Sequence, residues 1–206
     1  MHYSQNDEQE IVARWFAENP PKYGNRLVDI GAWTGVELSN SRALIEAGWR
    51  GLLVEAAAGP FVRLIENCRS VRDRVALLQA FVTGGTEYKL QNFQHTQDAV
   101  STSDKAIHQA WSQAISDYFE IVVPVVPLAE ILRVWPGPYD FATIDTEGET
   151  LSIFTAFLEL EPTTSCIVVE HASAGVSHLQ EMLAMSIAKG YEVIAVNGEN
   201  LLVGRR

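Results

Sequence analysis

The chain is poor in cations, cysteine and long apolar runs, and each shortage excludes something. Among its 206 residues, 15 Lys and Arg face 26 Asp and Glu, a formal net charge of −11 at pH 7. Phosphate backbones are bound by a surplus of basic side chains, so a nucleic-acid partner is not expected. The local basic clusters, Arg69, Arg72, Arg74 and Arg205-Arg206, read as solvated helix ends. The two cysteines, Cys68 and Cys166, lie far apart in apolar contexts and read as buried free thiols rather than a disulfide framework. Every apolar run is interrupted by Arg, Glu, Asp or Gly before it reaches membrane-spanning length, so no membrane association is expected. The opening MHYSQNDEQE is polar and acidic, unlike a signal peptide, and a cytoplasmic location is the expectation. No repeat, low-complexity tract or long linker divides the chain. A single domain over 1–206 is expected, with an N-terminal helix and linker over 1–25 and an insertion over 86–120.

What is present is an alternation. Apolar positions Ile11, Val12, Trp15 and Phe16 mark an amphipathic helix over Asp7 to Phe16, ended by Pro20-Pro21. The run RLVDI at Arg26 to Ile30 predicts a buried strand, and Ser39 to Ala47 a helix closed by Gly48. Gly51 to Val54 predicts a second strand stopping at Glu55, and Pro60 to Cys68 a helix with proline in its first turn. Val75 to Val82 reads as a third strand. Ile121 to Val126 contains Pro124 and therefore reads as an edge strand or extended connector. Leu128 to Val134 predicts a helix, Tyr139 to Ile144 a strand, Glu149 to Leu160 a helix and Cys166 to Val169 a strand. Val176 to Lys189 predicts a last helix, and Tyr191 to Val196 with Leu201 to Val203 a closing hairpin around Asn197-Gly198. This pattern means an α/β, doubly wound Rossmann-like fold, mostly parallel, with a C-terminal antiparallel hairpin of the kind methyltransferase folds add. The polar stretch Glu87 to Phe119 breaks the rhythm and reads as a lid, a substrate loop or disorder.

In such sheets ligands bind beyond the carboxyl ends of the strands, where strand order reverses. The first strand ends in Asp29-Ile30-Gly31-Ala32-Trp33-Thr34-Gly35. Gly31 permits a sharp turn and close backbone approach to a ligand, and Gly35 relieves crowding where the next helix begins. Asp29 is placed to accept from loop amides or a cationic amino-acid head. Glu55 ends the second strand about 20 residues beyond the turn, where a carboxylate takes the hydroxyls of a ribose. Two adenosine ligands compete for such a site. A dinucleotide normally uses three glycines to seat its pyrophosphate, whereas Trp33 occupies the middle position here. S-adenosylmethionine carries no phosphate and gains from an acid near its ammonium, so it is the favoured cofactor.

The pieces YSQNDEQEIV at 3–12, VDIGAWTGVELSNSRALIEAGWRGLLVEA at 28–56, YDFATIDTEGETLSIF at 139–154 and IVVEHA at 167–172 resemble the FkbM-type methyltransferases. The run ID-x-EG-x-E followed by VEH is the more specific part. Within the insertion only Ser101-Thr102 matches. The chain departs from the family pattern at Trp33-Thr34, where Asn and then a small or acidic residue is usual, and at Ala56, where Pro is usual. The resemblance implies S-adenosylmethionine binding and methyl transfer to a hydroxyl oxygen, often on a sugar or secondary metabolite. The cofactor-binding set is then Asp29, Gly31, Ala32, Trp33, Gly35, Glu55 and Ala56.

The second motif supplies candidate catalytic residues. Asp145 follows the strand FATI and projects from the carboxyl edge beside the first strand, with Glu147 in the turn and Gly148 allowing the bend. Glu149, or Thr146 or Asp145, also reads as the amino-terminal cap of the next helix. Methyl transfer from a sulfonium is an in-line displacement, so the protein must position the acceptor and help remove its proton. Asp145 and Glu147 are candidates for orienting the acceptor or the methionine end of the cofactor. His171, just beyond the strand IVVE, is the candidate base, with Glu170 fixing its ring or pairing with a neighbour. No metal is expected, although Asp145, Glu147 and His171 are of a type that could hold a divalent ion. A saccharide or small-molecule acceptor is the expected partner, and a homo-oligomer is left open. Two alternatives remain at this point, a NAD-dependent oxidoreductase and a catalytically silent adenosine-binding module.

Overall fold

The computed structural model describes residues 1–97 and 99–206. From the amino end, α1 (Glu8–Glu18) is followed by β1 (Arg26–Ile30), α2 (Arg42–Glu46), β2 (Arg50–Glu55), α3 (Ala58–Asn67) and β3 (Val75–Gln79). The middle third contains β4 (Phe81–Thr83), β5 (Lys89–His95), α4 (Lys105–Trp111), β6 (Phe119–Pro127) and α5 (Leu128–Val134). The last third runs β7 (Phe141–Ile144), α6 (Thr150–Leu160), β8 (Cys166–Glu170), β9 (Ala172–Ser173), β10 (Val176–Ser177), α7 (Leu179–Ala188), β11 (Glu192–Val196) and β12 (Asn200–Gly204).

Seven strands form the main sheet in the order β3-β2-β1-β7-β8-β12-β11. All neighbours from β3 to β8 are parallel, while β12 runs antiparallel to both β8 and β11. The central strands are buried on both faces, which is why they read as continuous apolar runs. One face is covered by Val12, Trp15, Ile45 and Leu64, the other by Ile153, Phe154, Phe157 and Met182. Strand order reverses between β1 and β7, and this opens the crevice. Cys68 and Cys166 are free and buried. No helix among the described residues is long and apolar enough to cross a membrane.

Four expectations need correction. The run 75–82 is two strands in two sheets. The chain breaks at Ala80, whose amide donates to the Glu55 carbonyl (3.1 Å), and β4 then joins a separate sheet of order β4-β6-β5. β6 is the middle strand of that sheet, not an edge or a connector. Its pairing with β4 begins only at Val125, so Pro124, opposite Leu90 of β5, stands where β6 has a partner strand on one side alone. The helix expected over 39–47 shrinks to the five residues of α2, because positive φ at Trp33, Gly35 and Leu38 commits the preceding residues to turns. Val176 and Ser177 belong to the short β9–β10 hairpin, turned by Ala174 and Gly175 at positive φ, and α7 starts after it. The polar insertion has structure of its own in β5 and α4; Asp98 within it lies outside the described residues.

The amino-terminal segment reaches the crevice because α1 is tied to the opposite end of the chain. The Glu8 side chain is fully buried. It accepts from the Asn6 amide (2.8 Å) and from Nδ2 of Asn6, Asn197 and Asn200 (3.1, 2.6 and 2.9 Å). Burial would raise its pKa, but the bonds from Asn197 and Asn6 outweigh burial and hold the carboxyl below its ordinary value. A depressed folded-state pKa contributes stability that is present above the unfolded value and lost as pH falls through the folded one. Replacing Glu8 by Ala strands several buried donors, and chemical denaturation at neutral pH is expected to show a loss of about 2–3 kcal/mol. That deficit should shrink in acid; a deficit unchanged to pH 3 would contradict the assignment.

Candidate functional site

A cavity of about 510 Å³ lies over the carboxyl ends of β2, β1, β7 and β8. Its floor is made by two turns in contact. Gly31 (φ +91°) is pressed so closely against the turn after β7 that a Cβ there would lie 1.6 Å from the Asp145 carbonyl oxygen. The Gly31 and Ala32 amides both donate to the Val54 carbonyl (2.9 Å each), tying the β1 turn to the end of β2. Gly31 is therefore required by the packing of one turn on another as well as by its place on the cavity wall. Gly35 is not on that wall. A Cβ there would meet Leu64 Cδ1 at 2.4 Å, so this glycine lets α3 approach the turn.

Trp33 takes a left-handed backbone (φ +46°), a conformation common for glycine and costly for a bulky residue. Its amide donates to Glu55 Oε2 (2.9 Å), while the Ala57 amide donates to Oε1 (2.6 Å). Arg63 lies 5.8 Å from the ring centroid on one side. Burial pushes Glu55 up to about 7 against the pull of those amides. Asp29 is likewise pushed up to about 7, by burial first and then by Asp145 and Glu55, although the Ser41 hydroxyl donates to its Oδ2 (2.5 Å). Asn40, beside them on the wall, donates weakly to Thr143 Oγ1 (3.3 Å), and its Oδ1 is buried without a partner.

Across the crevice, Asp145, Glu147, Glu170 and Glu199 line the same cavity. Burial raises Asp145, with a hydrogen bond from Glu170 opposing it, and raises Glu170 much further, helped by Asp145 and Glu147. Glu147 is raised by burial, against a hydrogen bond donated by Ser173 of the β9–β10 hairpin. Glu149 is the cap residue of α6 but makes no side-chain cap bond; its carboxylate accepts from Thr83 Oγ1 (3.1 Å) and Ser152 Oγ (2.6 Å). The Thr146–Thr150 pair closes the turn instead.

His171 departs most from its expected place. It stands at the end of β8, but it lines a second, smaller cavity rather than the main one. Its Nδ1 is 3.1 Å from Ser177 Oγ and its Nε2 3.1 Å from the Asn197 carbonyl. Both ring nitrogens are spent on joining the β9–β10 hairpin to the β11–β12 turn, so the ring does not face the acids it was expected to serve. Sequence reasoning also missed Ser173, Gln5 and Trp111, which share the main cavity wall with the acids. Trp111 comes from the insertion, which docks through Thr102. The fully buried Thr102 hydroxyl donates to the Glu147 carbonyl (2.8 Å) and accepts from the Asp104 amide (3.0 Å). Thr102 also exchanges backbone bonds with Gln94 of β5 (2.7 and 3.0 Å).

These residues suit S-adenosylmethionine. Asp29 and the unpartnered Asn40 Oδ1 offer acceptors to an ammonium, and Glu55 offers its remaining lone pairs to ribose hydroxyls. Among the described residues no Lys, Arg or His lines the cavity, so a pyrophosphate would find no counter-charge.

Strand order, hairpin and crevice define a Rossmann-like fold, one shared with S-adenosylmethionine-dependent methyltransferases. The methyltransferase FkbM domain profile matches residues 29–193, and the chain belongs to that family. No curated protein matches the sequence. Among solved structures, an FkbM methyltransferase from Methylobacillus flagellatus KT superposes with TM-score 0.56 at 14% identity, over 91% of this chain and 46% of that one. This chain therefore spans less than half of that relative. A precorrin-6y C5,15-methyltransferase from Geobacter metallireducens GS-15 gives 0.54 at 15% identity, over 96% and 87%. Magnesium protoporphyrin IX methyltransferase from Synechocystis PCC 6803, solved with bound cofactor, gives 0.50 at 11%, over 97% and 78%. The nicotinamide-dependent alternative falls with the family assignment.

Two outcomes follow. A cation beside Asp29 and ribose hydroxyls on Glu55 favour the ionised carboxylates, so cofactor binding should release protons near neutral pH. Affinity should rise from pH 6 towards pH 8 and then level off. Titration calorimetry in buffers of different ionisation enthalpy would reveal the release, and identical heats in all buffers would refute it. Replacing Thr102 by Val removes two buried bonds, worth about 1–3 kcal/mol. Amide exchange across α4 should then quicken at least fivefold with β1 and β7 unchanged, and Thr102→Ser should restore it. Full protection of α4 in the Thr102→Val variant would show that the insertion docks by other means.

Proposed function

We propose that this methyltransferase acts on a hydroxyl oxygen of a saccharide or other small metabolite, with Glu147 as the proton acceptor. The observation that carries this reading is the setting of Glu147: on the cavity wall, in the turn after β7, half-buried, and held by Ser173. A carboxylate raised towards neutrality by burial is suited to accept a proton at physiological pH. Asp145 and Glu170 line the same cavity and would take hydrogen bonds from a second hydroxyl, which orients a polyol.

When bound, S-adenosylmethionine supplies an activated methyl group on a sulfonium whose departure leaves a neutral thioether. The chain's own task is positioning, which can supply about 7–11 kcal/mol, and removal of the hydroxyl proton. Asp29, Asn40 and Glu55 would hold the cofactor at the β1–β2 side of the crevice. Glu147 would take the proton of the acceptor hydroxyl as that oxygen is methylated. Phe81, Val82 and Phe93 give the cavity an apolar wall.

The test is transfer of isotope-labelled methyl to a panel of hydroxylated metabolites and glycosides, with products located by mass spectrometry. A methyl ether is expected. Glu147→Gln should lower kcat about 10²–10⁴-fold while leaving S-adenosylhomocysteine affinity within a few-fold. The wild-type rate should rise with pH along an acid limb displaced above the ordinary carboxylate range, a limb the variant lacks. Methylation at nitrogen or carbon, or wild-type turnover by Glu147→Gln, would refute the proposal; cofactor binding without turnover on any acceptor would instead favour the silent module.

A further inference from the structure

The amino-acid end of S-adenosylmethionine carries a carboxylate as well as an ammonium, and the acids that suit the one repel the other. Among the described residues no Lys, Arg or His lines the cavity, so the carboxylate has to be held by neutral donors. The donors of the glycine turn are already committed. The Gly31 and Ala32 amides go to the Val54 carbonyl (2.9 Å each), and the Trp33 amide goes to Glu55 Oε2 (2.9 Å). Beside them the Ser41 hydroxyl is spent on Asp29 (2.5 Å) and Asn40 Nδ2 on Thr143 Oγ1 (3.3 Å).

The amino-terminal segment brings a donor that is not committed. Its YSQN stretch at 3–6 lies ahead of the family profile, which begins at residue 29. The stretch is fixed beside the loop that leads into α2. The Ser39 amide donates to the Tyr3 carbonyl (3.1 Å), and the Tyr3 hydroxyl donates to Glu46 Oε2 (2.7 Å). Ser4 is buried; its hydroxyl donates to the Asn6 carbonyl (3.0 Å) and accepts from the Gln9 amide (3.2 Å). Asn6 in turn is bonded to the Glu8 anchor. Tyr3, Ser4 and Asn6 therefore spend their side chains on holding the segment. Gln5 sits between these ties, and its side chain makes no hydrogen bond among the described residues. It is exposed, and it lines the cavity together with Ser39 and Asn40. A primary amide there offers two N–H donors without adding a charge, so it can meet a carboxylate without competing with Asp29 for the ammonium.

Resting on the cofactor assignment above, we infer that Gln5 donates its side-chain amide to the carboxylate of S-adenosylmethionine. Asp29 and Asn40 take the ammonium of the same amino-acid group. The amino-terminal segment is thereby a wall of the cofactor site as well as a tie between the chain ends, and it selects ligands that keep the carboxylate.

Titration calorimetry of the full chain with three ligands tests this. S-adenosylhomocysteine has both amine and carboxylate, its decarboxylated analogue keeps only the amine, and methylthioadenosine has neither. Gln5→Ala should weaken S-adenosylhomocysteine about tenfold, the effect of losing a hydrogen bond to a charged group. The other two ligands should stay within about twofold of wild type. Gln5→Glu has nearly the same shape but puts a charge where the donors were. It should weaken S-adenosylhomocysteine more than Gln5→Ala does, and bind the decarboxylated amine at least as tightly as wild type. A role in holding the segment alone would move all three ligands together, and that result would overturn the inference. Unchanged S-adenosylhomocysteine affinity in both variants would overturn it too. Methylthioadenosine separates the two levels: if the wild type binds none of the three ligands, the cofactor reading fails and this inference with it. If methylthioadenosine binds and the carboxylate makes no difference between wild type and variants, the role of Gln5 alone fails.

Discussion

Glu55 accepts one amide from each side of the crevice mouth, Trp33 from the turn after β1 and Ala57 from the start of α3. The rest of the site depends on this clamp. It compensates a backbone conformation at Trp33 that the side chain alone disfavours, and so sets the path of the whole β1 turn. That turn, through Gly31, is the surface on which the Asp145 carbonyl rests. The spacing between the two halves of the crevice is therefore set by backbone contact between turns, and side chains are added to a frame that already exists. A carboxylate that anchors two amides is also rigidly presented, so the same group that builds the turn is preorganised for a ribose.

How much of this was legible in the sequence follows from the range of each interaction. Strands β1, β2, β7 and β8 were readable because burial on both faces leaves an unbroken apolar run, and the pairing of glycine turn with distal acid needs only local order. Glu55 was found for that reason, yet its bonds to Trp33 and Ala57 were not, since they depend on a three-dimensional approach. The split of 75–82 was hidden because Ala80 carries no turn signal; the break is imposed by the bond from its amide to Glu55. Pro124 was a true signal read too strictly: it forbids a partner at one position, not along the whole strand.

The displaced role of His171 has the same cause. Chain position put it at the carboxyl edge of β8, and that is where it lies, but sequence does not say which way a ring turns. Ser177 and the Asn197 carbonyl decide that, and both belong to hairpins whose approach to β8 is a tertiary event. Only Val176 and Ser177 of the β9–β10 hairpin fell inside the predicted helix; Ser173, the partner of Glu147, lay in the stretch before it, to which no element was assigned. A cue did exist, because Ala174-Gly175, just ahead of that helix, is where the hairpin turns.

The insertion shows why a polar stretch need not be a passive one. Among its few apolar side chains Phe93, Val100 and Ile107 are buried, Phe93 against Ala57 and Phe81, and buried polar bonds centred on Thr102 add to that docking. Those bonds end on the carbonyl of Glu147, the residue whose carboxylate faces the cavity. The segment that carries Trp111 into the cavity is thus anchored to the turn that carries the acids. The position of Trp111 on the cavity wall is thereby coupled to that of Glu147 through one connection. Variation in the rest of the insertion can reshape the cavity wall without moving the turn after β7, a division of labour between loop and scaffold.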